Sequence, residues 1–187
     1  MSLEVVELEI PDVKLITPRR FTDARGFFVE TYTEQRFIDV GINVRFVQDN
    51  HSFSVNAGTI RGLHYQSPPF SQTKLVRVLA GSIIDVAVDV RKGSPYFGNW
   101  VRAELSAESG KQIYIPSGFL HGFVTLEPNT EVAYKVDAYY SADSDGAVRW
   151  DDETLGIDWG ISHISATVSE KDQQAPSFTE FESPFTA

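Results

Sequence analysis

Apolar and polar residues alternate along most of this chain, in short segments that are separated by turn residues. Because successive side chains of a strand point to opposite faces, this two-residue period predicts β-strands that are buried on one side. Ten such segments occur, spanning residues 5–10, 26–32, 45–53, 59–65, 74–80, 82–90, 99–105, 111–115, 122–126 and 131–139. Ten strands at this spacing predict a sandwich or a jelly-roll barrel.

Helical periodicity is scarce in the sequence. The best candidate helix covers residues 34–40, with Thr33 as its N-cap and Gly41 as its stop, and a second short turn is expected at residues 169–173. The chain has no internal repeat, no low-complexity tract and no linker long enough to divide it. We therefore expect a mainly β protein with few short helices, forming a single domain over residues 1–187 with a loosely packed tail after about residue 176.

Composition narrows the function classes. The 187 residues are 42% hydrophobic, which is enough for a sizeable core, and carry a formal charge of −10, which argues against a nonspecific nucleic-acid surface. The absence of cysteine excludes thiolate metal ligands and cysteine nucleophiles. Acidic residues stand near the N-terminus where a secretory leader would be basic, and no apolar run has membrane-spanning length. We expect a cytoplasmic protein that binds neither nucleic acid nor membrane.

One predicted strand carries a dense group of reactive side chains. In residues 61–66 (Arg-Gly-Leu-His-Tyr-Gln), a regular strand would place His64 and Gly62 on one face and Arg61 on the other. A glycine beside a histidine leaves room for a ligand. This segment is therefore the first candidate for a functional site.

A second strand, residues 82–90, places Asp85 and Asp89 on one face and branched apolar residues on the other. If the face with Asp85 looks into a cavity, this carboxylate is buried and needs a partner. If that face looks into solvent, Asp85 needs none. The pattern favours neither alternative.

Gly110, Pro116, Gly118 and His121 match G-x5-P-x-G-x2-H, the second of the two cupin motifs, whereas the first motif is not intact. Metal-binding cupins bring two histidines onto one strand face as His-x-His, but here His64 is followed by tyrosine and glutamine and has no matching acid. A tight metal site needs three or four donors. We therefore expect a cupin-type jelly-roll barrel with no catalytic metal and no other cofactor.

The same chain contains residue types that could move a proton next to a ketone. This chemistry needs a base and a cation or hydrogen-bond donor at the developing enolate oxygen, for which His64 and Lys74 are the candidates. A carboxylate such as Asp172 would fix the tautomer of the base, and a phenol such as Tyr134 could return a proton on the opposite face. Each of the four also has a purely structural interpretation when taken alone.

Several ordered motifs resemble those of the dTDP-4-dehydrorhamnose 3,5-epimerases, from about residue 5 to about residue 176. The matching stretches are residues 23–30, 46–52, 61–66, 72–78, 81–95, 115–123 and 169–176. The resemblance implies a metal-free cupin barrel that inverts C-3 and C-5 of dTDP-4-dehydro-6-deoxy-D-glucose on the route to L-rhamnose. Two alternatives stay open: a relative that inverts only C-3 or only C-5, and a non-catalytic or metal-dependent cupin that binds a small molecule.

The resemblance also implies roles for individual residues. It assigns His64 as the base, Asp172 as its partner, Tyr134 as the acid and Lys74 as a contact to the C-4 oxygen. Further substrate contacts are implied for Gln48, Asn50, Arg61, His121, Tyr140, Lys171 and Asp145, the last at a position where the family more often has glutamate.

The family's dimer exchanges N-terminal strands between subunits. By this resemblance we expect a homodimer in which residues 3–32 reach the neighbouring subunit. Arg25, Phe28 and Glu30 would then contact the nucleotide bound there.

Overall fold

The computed structural model of the protein describes residues 3–161 and 166–187. Within these residues the strands are β1 (Leu3–Glu7), β2 (Lys14–Pro18), β3 (Arg20–Asp23), β4 (Gly26–Val29), β5 (Gln48–Ser54), β6 (Ile60–Gln66), β7 (Lys74–Ala80), β8 (Ser82–Asp89), β9 (Arg91–Lys92), β10 (Trp100–Ser106), β11 (Gln112–Ile115), β12 (Phe119–Thr125), β13 (Thr130–Val136), β14 (Asp145–Ala147) and β15 (Phe185–Thr186). The helices are α1 (Glu34–Asp39) and α2 (Glu170–Gln173), with a 3₁₀ turn at Ala142–Ser144.

Two antiparallel sheets form the body of the protein. One has the strand order β1-β2-β11-β7-β13-β5 and the other the order β10-β8-β12-β6-β14. Apolar side chains from both sheets share one core, with Val76 and Val132 from the first sheet and Ala87, Leu105 and Phe123 from the second. The predicted mainly β jelly roll of the cupin class is confirmed.

Each of the ten predicted strand segments overlaps a strand of the structure. The alternation does not predict β2, β3, β9, β14 or β15, which have five residues or fewer. A strand this short shows at most two periods of alternation and is hard to tell from a loop, although β1, β4 and β11, which are as short, fall within or overlap predicted segments. β12 begins at Phe119, three residues before the predicted start, and it therefore includes His121.

Both predicted helical segments are present. Thr33 stands at the N-cap of α1, but its hydroxyl donates to the Glu30 carboxylate instead of accepting from the helix. Ser169 caps α2, because its side-chain oxygen accepts from the backbone N–H of Asp172 at 3.2 Å. Among the described residues, none of the helices combines the length and the apolar character needed to cross a bilayer.

The segment after residue 176 is held more firmly than the sequence suggested. Phe185 is only 7% exposed, and β15 pairs in parallel with β9. Phe178, Phe181 and Phe185 pack against an apolar cluster on the outer face of the five-stranded sheet. This burial of aromatic side chains corrects the expectation of a loosely packed tail.

β6 departs from regular alternation at Gly62. Its pairing with β12 shifts between His121 and Phe123, so β6 carries one extra residue at this point. Gly62 has a φ of 137°, and a Cβ there would lie 2.5 Å from a backbone carbon of β12. Such a bulge reorients the side chains around it, and both Arg61 and His64 line the same cavity. The prediction that they lie on opposite faces is wrong.

Candidate active site

A cavity of about 440 Å³ opens between the two sheets. The six-stranded sheet contributes side chains from β5, β7 and β13, and the five-stranded sheet contributes side chains from β6 and β12. Residues 167–169 and α2 close one side. Seven of the residues predicted from sequence line this cavity: Arg61, His64, Lys74, His121, Tyr134, Lys171 and Asp172.

His64 and Asp172 form a close pair in the cavity wall. Nε2 of His64 lies 2.6 Å from Oδ1 of Asp172, whose side chain is 5% exposed, and Oδ2 of Asp172 accepts from the backbone N–H of Gly62 at 3.4 Å. A carboxylate at Nε2 favours the tautomer that keeps its proton there. Nδ1 then carries the lone pair, as a general base requires.

The Asp172 carboxyl is both buried and ionised. Burial raises its pKa, but the hydrogen bond and charge of His64 and the donors Gly62 and Ser169 lower it by more, so the pKa lies below its ordinary value. An anion at this position can stabilise the imidazolium that forms when His64 takes up a proton.

Lys74 begins β7 and is 9% exposed. Burial lowers the pKa of its ammonium group to about 8, and the attraction of Asp85 and Asp145 offsets part of that effect. Lys74 is therefore still mostly charged at neutral pH. It can supply a positive charge inside a cavity where water screens little.

His121 and Asp85 form a second imidazole–carboxylate pair, with Nε2 of His121 2.9 Å from Oδ2 of Asp85. Both side chains are buried, so the face of β8 that carries Asp85 looks into the protein and not into solvent. Burial lowers the pKa of His121; Asp85 opposes this change and the charge of Lys74 adds to it. A neutral His121 can donate or accept one hydrogen bond at the cavity wall.

Tyr134 lies on β13, in the sheet opposite the one that carries His64, and lines the same cavity. Burial raises the pKa of its phenol, while the charge of Arg61 lowers it in part and that of Asp145 raises it again. The hydroxyl is therefore protonated at neutral pH. An imidazole on one sheet and a protonated phenol on the other therefore border the same cavity.

Arg61 and Lys171 bring further positive charge to the cavity. The guanidinium of Arg61 is held by the backbone oxygen of Phe53 at 2.9 Å and by the hydroxyl of Ser54 at 3.3 Å. The ammonium of Lys171 pairs with the carboxylate of Asp145. Cations fixed in this way can bind phosphate groups although the whole chain is acidic.

A chain of polar contacts extends from Lys171 beyond the cavity. The hydroxyl of Tyr140 donates to Asp145 at 3.3 Å, and its backbone N–H donates to Oε1 of Gln48 at 3.1 Å. The amide of Gln48 donates to Oδ1 of Asn50 at 2.8 Å. Gln48, Asn50, Tyr140 and Asp145 therefore lie together, although none of them lines the cavity itself.

Three further predicted residues lie away from both the cavity and this polar group. Arg25 is highly exposed and pairs with Asp23, Phe28 is 64% exposed on β4, and Glu30 pairs with Arg36. They belong to the β3–β4 hairpin and the segment after it, and none of them lines the cavity.

Seven cavity residues were not predicted as site residues: Ser52, Thr59, Ile60, Phe123, Thr167, Val168 and Ser169. Ser52 could have been found, because the two-residue period of β5 places it on the same face as Gln48 and Asn50. The bridge between Thr59 and Thr167 joins distant parts of the chain, and no local pattern predicts it. Within residues 3–161 and 166–187, no group of three or more histidine, cysteine or acidic residues could hold a metal ion.

The fold and cavity define a cupin-class jelly roll with an imidazole and a phenol on facing sheets. A family model described as dTDP-4-dehydrorhamnose 3,5-epimerase matches residues 7–180. The chain therefore belongs to the dTDP-4-dehydrorhamnose 3,5-epimerase family.

Individual relatives agree with this assignment. A dTDP-4-dehydrorhamnose 3,5-epimerase of Sinorhizobium fredii is 51% identical over 173 residues, covering 92% of this chain and 88% of that protein. The crystal structure of a Bacillus anthracis dTDP-4-dehydrorhamnose 3,5-epimerase with TDP and PPi bound matches with a TM-score of 0.91 and 48% identity, over 95% of this chain and 100% of that one. A Legionella pneumophila epimerase in complex with dTDP-4-keto-L-rhamnose matches with a TM-score of 0.92 and 42% identity, over 96% and 95% of the two chains.

The buried charge of Lys74 predicts a pH-dependent cost in stability. Below about pH 8 this lysine is protonated in both the folded and the unfolded chain, so the free-energy cost of burying its charge is fully present. Between about pH 8 and 10 only the unfolded chain keeps the proton, so this cost decreases as the pH rises. We expect Lys74→Met to raise the free energy of unfolding by about 2 kcal/mol near neutral pH, and this gain to shrink between about pH 8 and 10. Urea unfolding over this pH range measures it.

The matched control is Lys92→Met, which removes an exposed lysine. Its effect should stay within about 0.5 kcal/mol at every pH. A Lys74→Met effect that does not change with pH would contradict the proposed burial of the charge.

Proposed function

We propose that this chain is a dTDP-4-dehydrorhamnose 3,5-epimerase, which inverts C-3 and C-5 of dTDP-4-dehydro-6-deoxy-D-glucose in dTDP-L-rhamnose biosynthesis. One observation carries the proposal: the His64–Asp172 pair and the protonated phenol of Tyr134 lie on facing sheets around one cavity. In this proposal the enzyme is an isomerase that uses only its own side chains and no cofactor.

The C-4 ketone makes the hydrogens on C-3 and C-5 weakly acidic. Nδ1 of His64 takes one of them, and the electron pair of the broken C–H bond moves into the enolate. Asp172 stabilises the imidazolium, and the ammonium of Lys74 stabilises the negative oxygen. Tyr134 then delivers its proton to the opposite face of the same carbon. Proton exchange with solvent restores the imidazole and the phenol before the second carbon reacts.

The nucleotide part of the substrate needs cations for its two phosphates and polar groups for its sugar and base. Besides Lys74, the cavity has the cations Arg61 and Lys171, and His121 is a neutral hydrogen-bonding group held by Asp85. Further contacts are proposed for the polar group that extends from the cavity: Gln48, Asn50, Tyr140 and Asp145. Arg61 and Lys171 can donate charge-assisted hydrogen bonds to the phosphates, and those of Arg61 can be bidentate.

We also propose that the enzyme is a homodimer and works in the cytoplasm, without nucleic-acid or membrane partners. The β3–β4 hairpin exposes Phe27 and Phe28, which is unusual for a surface without a partner. Exchange of this hairpin would carry Arg25, Phe28 and Glu30 to the neighbouring subunit's nucleotide. The charge of −10 supports the absence of a nucleic-acid surface.

Reaction in deuterated water tests the chemistry. The wild-type protein should place deuterium at both C-3 and C-5 of the product, as measured by NMR. His64→Asn should lower exchange about 10³-fold because the base is lost. Tyr134→Phe should keep much of the exchange and lower complete inversion about 10²-fold, because proton loss does not need the phenol.

His51→Asn is the matched control, since this exposed histidine pairs with Glu131 outside the cavity, and its rate should equal that of the wild type. Label at one carbon only would favour a single-position epimerase. Binding without any exchange would favour a non-catalytic cupin.

Mixed dimers test the exchange of the N-terminal hairpin. We combine a His64→Asn chain with a chain that carries Arg25→Ala and Phe28→Ala, each being poorly active alone at low substrate concentration. If the hairpin serves the neighbouring subunit, every mixed dimer contains one site with no defect. Random mixing after refolding should therefore recover about a quarter of the wild-type rate. No recovery, in a mixture shown to contain mixed dimers, would mean that each hairpin serves its own subunit.

A further inference from the structure

The C-terminal strap, defined as residues 181–187, lies beyond residue 180, where the family match ends. It is nevertheless firmly attached to the body of the protein. The buried hydroxyl of Ser183 donates to the carbonyl of Val90, β15 pairs with β9, and the N–H of Ala187 donates to Lys92 at 3.0 Å. A segment with these contacts is part of the folded structure, so it can restrict the position of the side chains that it contacts.

The strap touches one residue next to the catalytic base. The ring of Phe181 meets the ring of Tyr65 edge-on at a centroid distance of 5.3 Å, and the ring of Phe185 meets it edge-on at 6.0 Å. Tyr65 follows His64 directly in β6 and packs into the outer apolar cluster. Two aromatic contacts of this geometry restrict where its ring can lie.

The ring of Tyr65 in turn lies against β14. Gly146 is its partner in the strand pairing, and a Cβ on Gly146 would lie 2.4 Å from the Tyr65 ring. The neighbours of Gly146 belong to the site: Ala147 pairs with His64, and Asp145 holds Lys171. A shift of the Tyr65 ring would therefore disturb β14 at the residue paired with His64 and at the residue that holds Lys171.

We propose that Phe181 and Phe185 are positioning residues for the reaction. By fixing the ring of Tyr65, they hold the backbone of His64 so that its imidazole meets Asp172 at hydrogen-bond distance. A displacement of about 1 Å at a reacting group can lower the rate about 10²-fold. A smaller displacement of the His64 imidazole should therefore still lower the rate by a measurable amount. The kinetic part of this inference rests on the proposed function, whereas the effect on the His64–Asp172 pair does not.

The kinetic test compares Phe185→Ala, Phe185→Leu and a matched control at a temperature where circular dichroism shows all of them folded. The control is Phe97→Ala, because Phe97 is an exposed aromatic residue that contacts Phe178 and not Tyr65. Phe185→Ala should lower kcat about tenfold and change KM less than about twofold. Phe185→Leu should recover most of the loss, and Phe97→Ala should match the wild type. A lower melting temperature with unchanged kcat would show that the strap is only structural.

The second test observes the dyad without substrate. The Nε2–H proton of His64, assigned by its loss in His64→Asn, should give a downfield NMR signal in the wild type that is broadened or lost in Phe185→Ala and restored in Phe185→Leu. An unchanged signal in Phe185→Ala overturns the inference. If the wild type has no epimerase activity but this signal still depends on Phe185, the proposed function fails and the positioning role stands. If Phe185→Ala does not fold, Phe181→Ala replaces it in both tests, because Phe181 is only partly buried.

Discussion

The hydrogen bond between His64 and Asp172 joins two parts of the chain that are 108 residues apart, and the proposed chemistry of the cavity depends on it. A buried carboxylate without partners would be costly or would take up a proton. Here the imidazole of His64 and the backbone N–H of Gly62 keep Asp172 charged and hold its carboxylate beside His64. The bulge at Gly62 is therefore part of the same arrangement, since it supplies the second donor and turns Arg61 into the cavity.

The jelly roll suits this chemistry because its two sheets present side chains to one space from opposite directions. His64 comes from one sheet and Tyr134 from the other, so in the proposed mechanism they approach a carbon between them from opposite sides. Lys74 and His121 line this space, and Asp85 is buried beside His121, where an ordinary sandwich would place apolar residues. Burying these polar and charged groups lowers the stability of the fold. In return, water screens their electrostatic interactions little, as is common at functional sites.

Alternation of side chains predicted the long strands and hence the fold, because a two-residue period can be recognised over seven or eight residues. Alternation gave the wrong face for Arg61, because one extra residue in β6 reverses the face on which the neighbouring side chains lie. It could not decide the face of Asp85, because β8 is buried on both sides. The packing of the tail is not predicted, because its three phenylalanines do not follow the two-residue period of a strand. Residue chemistry suggested the base, cation and acid, but the contact between His64 and Asp172 and the bridge from Thr59 to Thr167 are tertiary facts that no local pattern contains.

The central claim is that a base and an acid stand on opposite sides of the bound sugar. A crystal structure of the protein with a bound dTDP-linked 4-keto-6-deoxy sugar, or with a close analogue, tests it most directly. The sugar ring should lie inside the cavity, with Nδ1 of His64 and the hydroxyl of Tyr134 on opposite faces of the ring, each within about 3.5 Å of a carbon next to C-4. A ring bound outside this cavity, or one with both side chains on the same face, would contradict the claim.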